Sequence, residues 1–215
     1  MTARPVEDLE PLALPAPAFA GGGTLLEALQ VRRTSRDLSA EKIPLHALSD
    51  ILWAAQGVNR AQGPFGDPGS TAGSASNSRE IRIYVLMEEG VYLYEPGPHR
   101  LAPVVAGDIR RLAIGRGQQD AGAQAPVRFV YVVDIERFRH AGFPEPGLYD
   151  PEIQKSYYFV DTGLIAQNVY LASAGLGLAS WFHNCDKTGF AKEAQLKPHQ
   201  RPLFGHSVGY ESHKK

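Results

Sequence analysis

Residues 161–181 read DTGLIAQNVYLASAGLGLASW. With Val160 in front, the apolar positions Val160, Leu164, Ile165, Val169, Leu171 and Ala172 recur at helical spacing but spread over a wide arc. A helix lying on the surface of a domain needs only one apolar stripe. One that is apolar on several faces belongs at the centre of a core, at a subunit interface, or at both. The spacing therefore predicts a central helix over 160–174, and the rest of the chain is read outward from it.

Downstream, LASWFHN (178–184) has the character of a strand. A short helix is expected near Phe190–Leu196, and HSVGY (206–210) makes a final strand. Upstream, RFVYVVD (128–134) reads as a buried strand and Asp108–Ile114 as a helix. EIRIYVLMEEGVYLYEP (80–96) is a hairpin: Ile81, Ile83 and Val85 alternate, Glu88-Glu89-Gly90 supplies the turn, and VYLY returns. Residues 59–78, rich in glycine, serine and proline, are expected to form a long loop of a kind that is usually functional or mobile. Leu45, Leu48, Leu52 and Ala55 mark a helix that Gly57 stops. Thr24 with Glu27 forms a capping box for a preceding short helix, with Leu25, Leu26 and Leu29 facing inward. Residues 1–23 mix charges with prolines and end in three glycines, so a flexible arm is expected there. One domain then spans 24–211, and 212–215 is a tail. The element order favours an α+β fold with a mixed sheet over a regular βαβ alternation.

Composition narrows the function classes. Of 215 residues, 43% are hydrophobic and 21% charged, which permits a sizeable core. Twenty-two basic against 23 acidic side chains give a net charge of -1, which argues against a dedicated nucleic-acid binder. A single cysteine, Cys185, excludes an internal disulfide and a thiolate-rich metal site. The expectation is a cytoplasmic protein with no signal-peptide layout at the N-terminus and no membrane span. There is no G-x-G-x-x-G after a strand, no Walker loop and no G-x-S-x-G elbow. The seven histidines are scattered without metal-ligand spacing, so no metal site is expected.

Three clusters remain. Arg32-Arg33-Thr34-Ser35-Arg36 puts three guanidiniums and two hydroxyls into five residues. The planar guanidinium fork matches phosphate oxygens in pairs. Basic residues at a helix C-terminus are ordinary, but this array exceeds that need. Gly73-Ser74-Ala75-Ser76-Asn77-Ser78-Arg79 offers small polar side chains that let a ligand approach the backbone, and equally suits a plain polar turn. Ser180-Trp181-Phe182-His183-Asn184-Cys185-Asp186 sets aromatic beside polar groups, suited to a flat conjugated ligand or to ordinary core. Cys185 reads as inert.

Taken in order, these pieces resemble the flavin-dependent nitroreductase superfamily. The resemblance rests on ALQVRRTSRDLS (28–39), LSDILWAAQGVNR (48–60), SASNSREIRIYV (74–85), GVYLYEPGPHRL (90–101), the 161–181 segment and HSVGYE (206–211). The GVYLYEP…HRL piece is similar to the branch that contains azoline dehydrogenases. The resemblance implies an intertwined homodimer with a mostly antiparallel sheet, holding flavin mononucleotide (FMN) at the subunit interface. It implies that Arg32, Arg33 and Thr34 hold the phosphate and ribityl chain. It implies that Arg36 lies at the pyrimidine edge, a position where a fixed cation stabilises charge arriving on the ring. Ser74, Ala75 and Asn77 match a segment that reaches the partner's flavin, with Gly73 where the family has proline. His183 and Asn184 match positions whose backbone N–H groups face the flavin, Asn184 standing where many relatives have glycine. Lys214 or Lys215 matches a C-terminal phosphate contact.

The implied activity is ping-pong hydride transfer from NAD(P)H to a planar acceptor such as a nitroaromatic or quinone. Two alternatives remain. One is an azoline dehydrogenase using Lys155 with Tyr157 or Tyr158 for proton handling, although no leader-peptide-binding domain is evident in the chain. The other is a flavin-binding protein without turnover.

Overall fold

A computed structural model describes residues 6, 9–18, 23–118 and 124–212. The order is β1 (Leu12–Ala13), α1 (Leu25–Val31), α2 (Leu45–Gln56), β2 (Val58–Arg60), β3 (Gly69–Ser70), β4 (Ile81–Leu86), β5 (Gly90–Glu95), β6 (Arg100–Ala106), β7 (Val127–Asp134), α3 (Pro151–Gly175), β8 (Ala179–His183), α4 (Lys187–Glu193) and β9 (Gln200–Gly209). Seven strands form one antiparallel sheet in the order β1-β6-β5-β4-β7-β9-β8. The fold is α+β, as the element order indicated, but every strand pair of this sheet is antiparallel where a mixed sheet was expected.

The β4–β5 hairpin forms as read, with Leu86 opposite Val91 across the turn. Strands β4 and β7 sit at the middle of the sheet and bury both faces. Ile81, Ile83, Val85, Phe129 and Tyr131 point to the layer of α2 and α3. Tyr84, Leu86, Val130 and Val132 point to the opposite layer, where Phe190 of α4 packs edge-on against Tyr84. Helix α3 begins earlier than the apolar arc suggested. Asp150 caps it through the N–H groups of Glu152 (2.8 Å) and Ile153 (3.4 Å), and Pro151 occupies the first turn, where its missing donor costs nothing.

Four expectations are corrected. Residues 12–14, expected in a flexible arm, are built in: Leu12 pairs with Leu101, Leu14 is buried, and the Pro15 carbonyl accepts from Ser49 Oγ at 2.6 Å. Leu25, Leu26 and Leu29 do not face inward. The capping box at Thr24 forms, but only Ala28 of α1 is buried, and Leu26 is 76% exposed. The span 108–114 holds a single 3-10 turn (Arg110–Ala113), preceded by the unanticipated strand β6. The 59–78 loop is not structureless, since β2 and β3 pair within it and a 3-10 turn spans Ala75–Asn77.

Candidate functional site

Two of the three clusters meet on one side of the sheet. After α1 the chain runs beside β8: Thr34 bridges to Ser180 in parallel, and Ser35 N–H donates to the Ser180 carbonyl at 3.1 Å. This pairing holds the arginine segment against Trp181. The Arg36 guanidinium lies 5.5 Å from the Trp181 ring centroid, and that of Arg32 lies 5.3 Å from Tyr170 of α3. The Tyr170 hydroxyl accepts the Phe182 N–H (2.8 Å) and bonds Thr34 Oγ1 (3.1 Å), so one side chain ties α3, β8 and the arginine segment together. Tyr170 was not singled out in the sequence, where it stands between Val169 and Leu171 of the apolar arc with no separate signal.

The three arginines differ. Arg33 pairs with Glu211 at 2.5 Å, and Ser35 Oγ donates to the other oxygen of that carboxylate at 2.8 Å. Among the described residues, Arg32 and Arg36 form no ion pair, and each guanidinium lies over an aromatic ring. A cavity of about 150 Å³ lies alongside, lined in part by Arg33, Ser35, Tyr170, Ser180 and Glu211. Guanidiniums without a carboxylate partner, next to hydroxyl donors, suit an anionic ligand, and the donor set fits a phosphate. Lys214 lies outside the described residues.

His183 ends β8 with its side chain inward. Nδ1 donates to the Asn184 carbonyl (2.9 Å), which leaves Nε2 to accept from Ser207 Oγ (2.8 Å). Burial pushes its pKa down to about 4, so the ring is neutral. Asn184 is exposed, and its side-chain oxygen accepts the Cys185 N–H. Cys185 is buried with its thiol pushed up to about 11 by desolvation, in keeping with an inert residue.

Ser74, Ala75 and Asn77 lie elsewhere, over the N-terminal half of α3. Ala75 N–H donates to Asp161 at 2.8 Å. Asp161 precedes Tyr170 by nine residues, about 14 Å along the helix axis at 1.5 Å per residue. The turn borders a cavity of about 230 Å³ whose walls include Arg60, Phe65, Asn77, Arg79, Glu80 and Asp161. Glu80 and Asp161 were not singled out in the sequence. The available signal was a carboxylate at the head of an apolar strand and another inside an apolar arc.

Lys155 and Tyr157 are not brought together. Positions two apart on a helix face different ways. Lys155 leans toward Glu152 (3.7 Å), while Tyr157 bonds Glu145, which raises its pKa. Tyr158 is buried against Phe159. No helix among the described residues is long and apolar enough to cross a membrane. Among them, no cluster of His, Cys, Asp or Glu could hold a metal ion.

An antiparallel seven-stranded sheet with a central helix, an arginine segment on β8 and an acid-held turn define the α+β architecture of the chain. The family model for the nitroreductase family matches residues 29–210. A protein of Methanocaldococcus jannaschii, provisionally named a nitroreductase, is 31% identical over 163 residues, covering 73% of this chain and 76% of its own. The crystal structure of a protein from Ralstonia eutropha, also provisionally named a nitroreductase, aligns with a TM-score of 0.79 at 26% identity. That alignment covers 95% of this chain and 90% of the other. An NADPH:FMN oxidoreductase from Vibrio harveyi, solved with NAD+, shares the fold at TM-score 0.57 and 18% identity, covering 87% of this chain and 69% of its own. The chain belongs to the nitroreductase family and is an oxidoreductase.

Proposed function

We propose that the protein is an FMN-dependent NAD(P)H oxidoreductase that works as a homodimer on a small planar electron acceptor. The observation that carries this reading is the pair Arg32 and Arg36, two guanidiniums that among the described residues have no carboxylate partner and lie over aromatic rings beside β8. Arg32, with Thr34, takes the phosphate; Arg33 joins when the phosphate displaces Glu211. Arg36 presents a fixed cation to the edge of the ring system where reduction places negative charge. The backbone at His183 and Asn184 supplies N–H donors, while the buried His183 ring stiffens that end of β8. The flavin, when bound, supplies the hydride chemistry. Ser74, Ala75 and Asn77 complete the site from the partner subunit, because in one chain they lie about 14 Å along α3 from Thr34's anchor.

Dimerisation is supported by the apolar surface the single chain leaves bare. Leu25, Leu26, Leu29 and Val31 of α1 and Phe159, Val160 and Leu164 of α3 are all exposed. Patches of this kind mark interaction surfaces. The azoline dehydrogenase reading would draw on Lys155, which leans toward Glu152, with Tyr157, which bonds Glu145, or Tyr158, which is buried against Phe159.

The test is spectroscopic. The purified protein should be yellow, release FMN on denaturation, and bleach under anaerobic NAD(P)H. A colourless protein that takes up no added FMN would contradict the cofactor assignment. A yellow one that NAD(P)H leaves unbleached would contradict the activity.

A further inference from the structure

The turn at 74–79 has a backbone that its sequence does not favour. Ser76, Asn77 and Arg79 all lie in the left-handed region, with φ of 51°, 54° and 50°. Only Asn visits that region readily among the three. Non-glycine residues stay in this conformation only where their surroundings over-determine it, and such segments concentrate at functional sites.

What over-determines this turn is a pair of buried acids. Asp161 accepts the Ala75 N–H at 2.8 Å. Glu80 Oε2 accepts from Ser78 Oγ at 2.6 Å and from Ser74 Oγ at 3.4 Å, and Ser74 Oγ in turn accepts the Arg79 N–H at 2.8 Å. Glu80 is fully buried and Asp161 nearly so. Glu80 Oε1 is buried without a hydrogen-bond partner, and the two acids hold neighbouring residues of the turn, Asp161 at the Ala75 N–H and Glu80 at Ser74 Oγ, beside the same cavity. Two carboxyls buried side by side do not both ionise readily, so the pair retains a proton, and the unpartnered oxygen is free to carry it.

We propose that Glu80 and Asp161 are positioning residues that share one proton, and that this proton locks the 74–79 turn in the shape that presents Ser74, Ala75 and Asn77 to a ligand. The ligand is the partner-bound flavin, and this part of the inference rests on the function proposed above. Glu80, as the neutral acid, donates to the Asp161 carboxylate, which keeps its remaining acceptor for Ala75. When the proton leaves, two buried negative charges face each other and the turn is released.

Burial and the neighbouring Asp161 charge hold the Glu80 carboxyl up at about 7. The other charged groups around the turn do not neutralise the pair. Arg79 is held by Asn77 Oδ1 (3.1 Å) and the Pro68 carbonyl, and Arg60 and Asp67 line the outer cavity from the β2–β3 hairpin. From β7, Asp134 contributes its backbone N–H to the Glu80 carbonyl at 2.8 Å. Glu145 faces the turn from the other side, bonded to Ser76 Oγ at 2.7 Å.

In the released turn Glu80 reverts toward its ordinary value of 4.5. Linkage then requires opening to become easier as pH rises from about 4.5 to about 7, by at most about tenfold per pH unit for one proton, and to level off above. Amide hydrogen exchange at Ala75 reads this in the purified protein with or without flavin. Corrected for intrinsic exchange, its protection should fall across that window, whereas in Glu80→Gln, whose amide keeps the bond to Asp161, it should stay flat. A wild-type protection independent of pH would overturn the shared proton, and so would the wild-type slope persisting in Glu80→Gln. The wild-type measurement decides even if the variant does not fold. FMN titration tests the link to the site: Asp161→Ala should weaken binding about tenfold or more through loss of the charged acceptor of the Ala75 N–H. Unchanged FMN affinity there, with the exchange results as expected, would overturn the positioning role while leaving the proposed function standing. Failure of the wild-type protein to take up FMN at any pH would overturn that function and the positioning role together, with the exchange at Ala75 still deciding the shared proton.

Discussion

Two segments that look alike in sequence, short polar runs between elements, are held in opposite ways. Arg32–Arg36 is fixed by its backbone bridge to Ser180 and by the bond of Thr34 Oγ1 to the Tyr170 hydroxyl, with Arg32 and Arg36 left over aromatic rings. Ser74–Arg79 is fixed through buried carboxylates, Glu80 and Asp161, and its backbone carries the unfavourable conformation. Both hang on α3, one at Tyr170 and one at Asp161. On the proposed function a ligand takes charge from the first and close backbone approach from the second. The helix that anchors them also keeps them apart in one chain, which is the physical argument for a site assembled from two.

The contrast extends to pH, and here the largest effect is expected. On the β8–β9 side, burial holds His183 at about 4, and His206 is likewise well below the ordinary range. An unfolded chain binds protons at these rings before the folded one does, so stability is lost as pH falls from about 6.5 through about 4. For His183 alone, the shift amounts to about 3 kcal/mol. On the turn side the sign reverses: Glu80 destabilises the fold as pH rises from about 4.5 to about 7. Urea denaturation across pH 4–8 should show Glu80→Gln removing only the decline toward neutrality and leaving the acid limb intact. Loss of both limbs in that variant would mean the two regions titrate as one.

Next in size is Arg32→Ala. Losing a charge-assisted contact of about 1.5–3 kcal/mol should weaken FMN binding some ten- to hundredfold with the fold unchanged. Isothermal titration checks it, and an unchanged affinity removes Arg32 from the site. Arg36→Gln should act on the redox couple more than on affinity. Loss of the cation should lower the flavin's two-electron potential by some tens of millivolts, about 30 mV corresponding to about 1.4 kcal/mol. A redox titration returning the parental potential would leave Arg36 as nothing more than a cover for Trp181.

The same comparison explains what could be read from sequence. The hairpin, β7, β8, β9 and the central helix were legible because alternation and helical spacing report burial directly. Strand β6 was not, because Pro103 argued against a strand. It is tolerated because β1 reaches only Arg100 and Leu101, leaving Pro103 without a partner on that side and opposite Tyr92 beside a bulge. The leucines of α1 were read as inward-facing and are exposed, because sequence marks apolar positions without saying what covers them. The arginine segment was visible because charge density is a local property. The Glu80–Asp161 pair was not, since 80 residues of chain separate two acids that only the fold brings together.

The smallest effect expected is at Glu211. On the proposed function its carboxylate competes with a phosphate for Arg33, so Glu211→Gln should tighten FMN binding by no more than a few fold, because the pair is largely exposed. Weaker binding in that variant would show Glu211 organising the arginine segment rather than competing at it.

The claim that one site is built from two chains has a direct measurement. Arg32→Ala and Ala75→Trp chains, each in a homodimer too weak to load FMN at the working concentration, are mixed, unfolded together and refolded. In a hybrid dimer one site collects both lesions and the other collects none. About a quarter of all sites should therefore regain FMN at parental affinity, by random pairing of two subunits in a two-fold dimer. A refolded mixture that loads no more FMN than its two parents would place both segments of each site in the same chain and contradict the account.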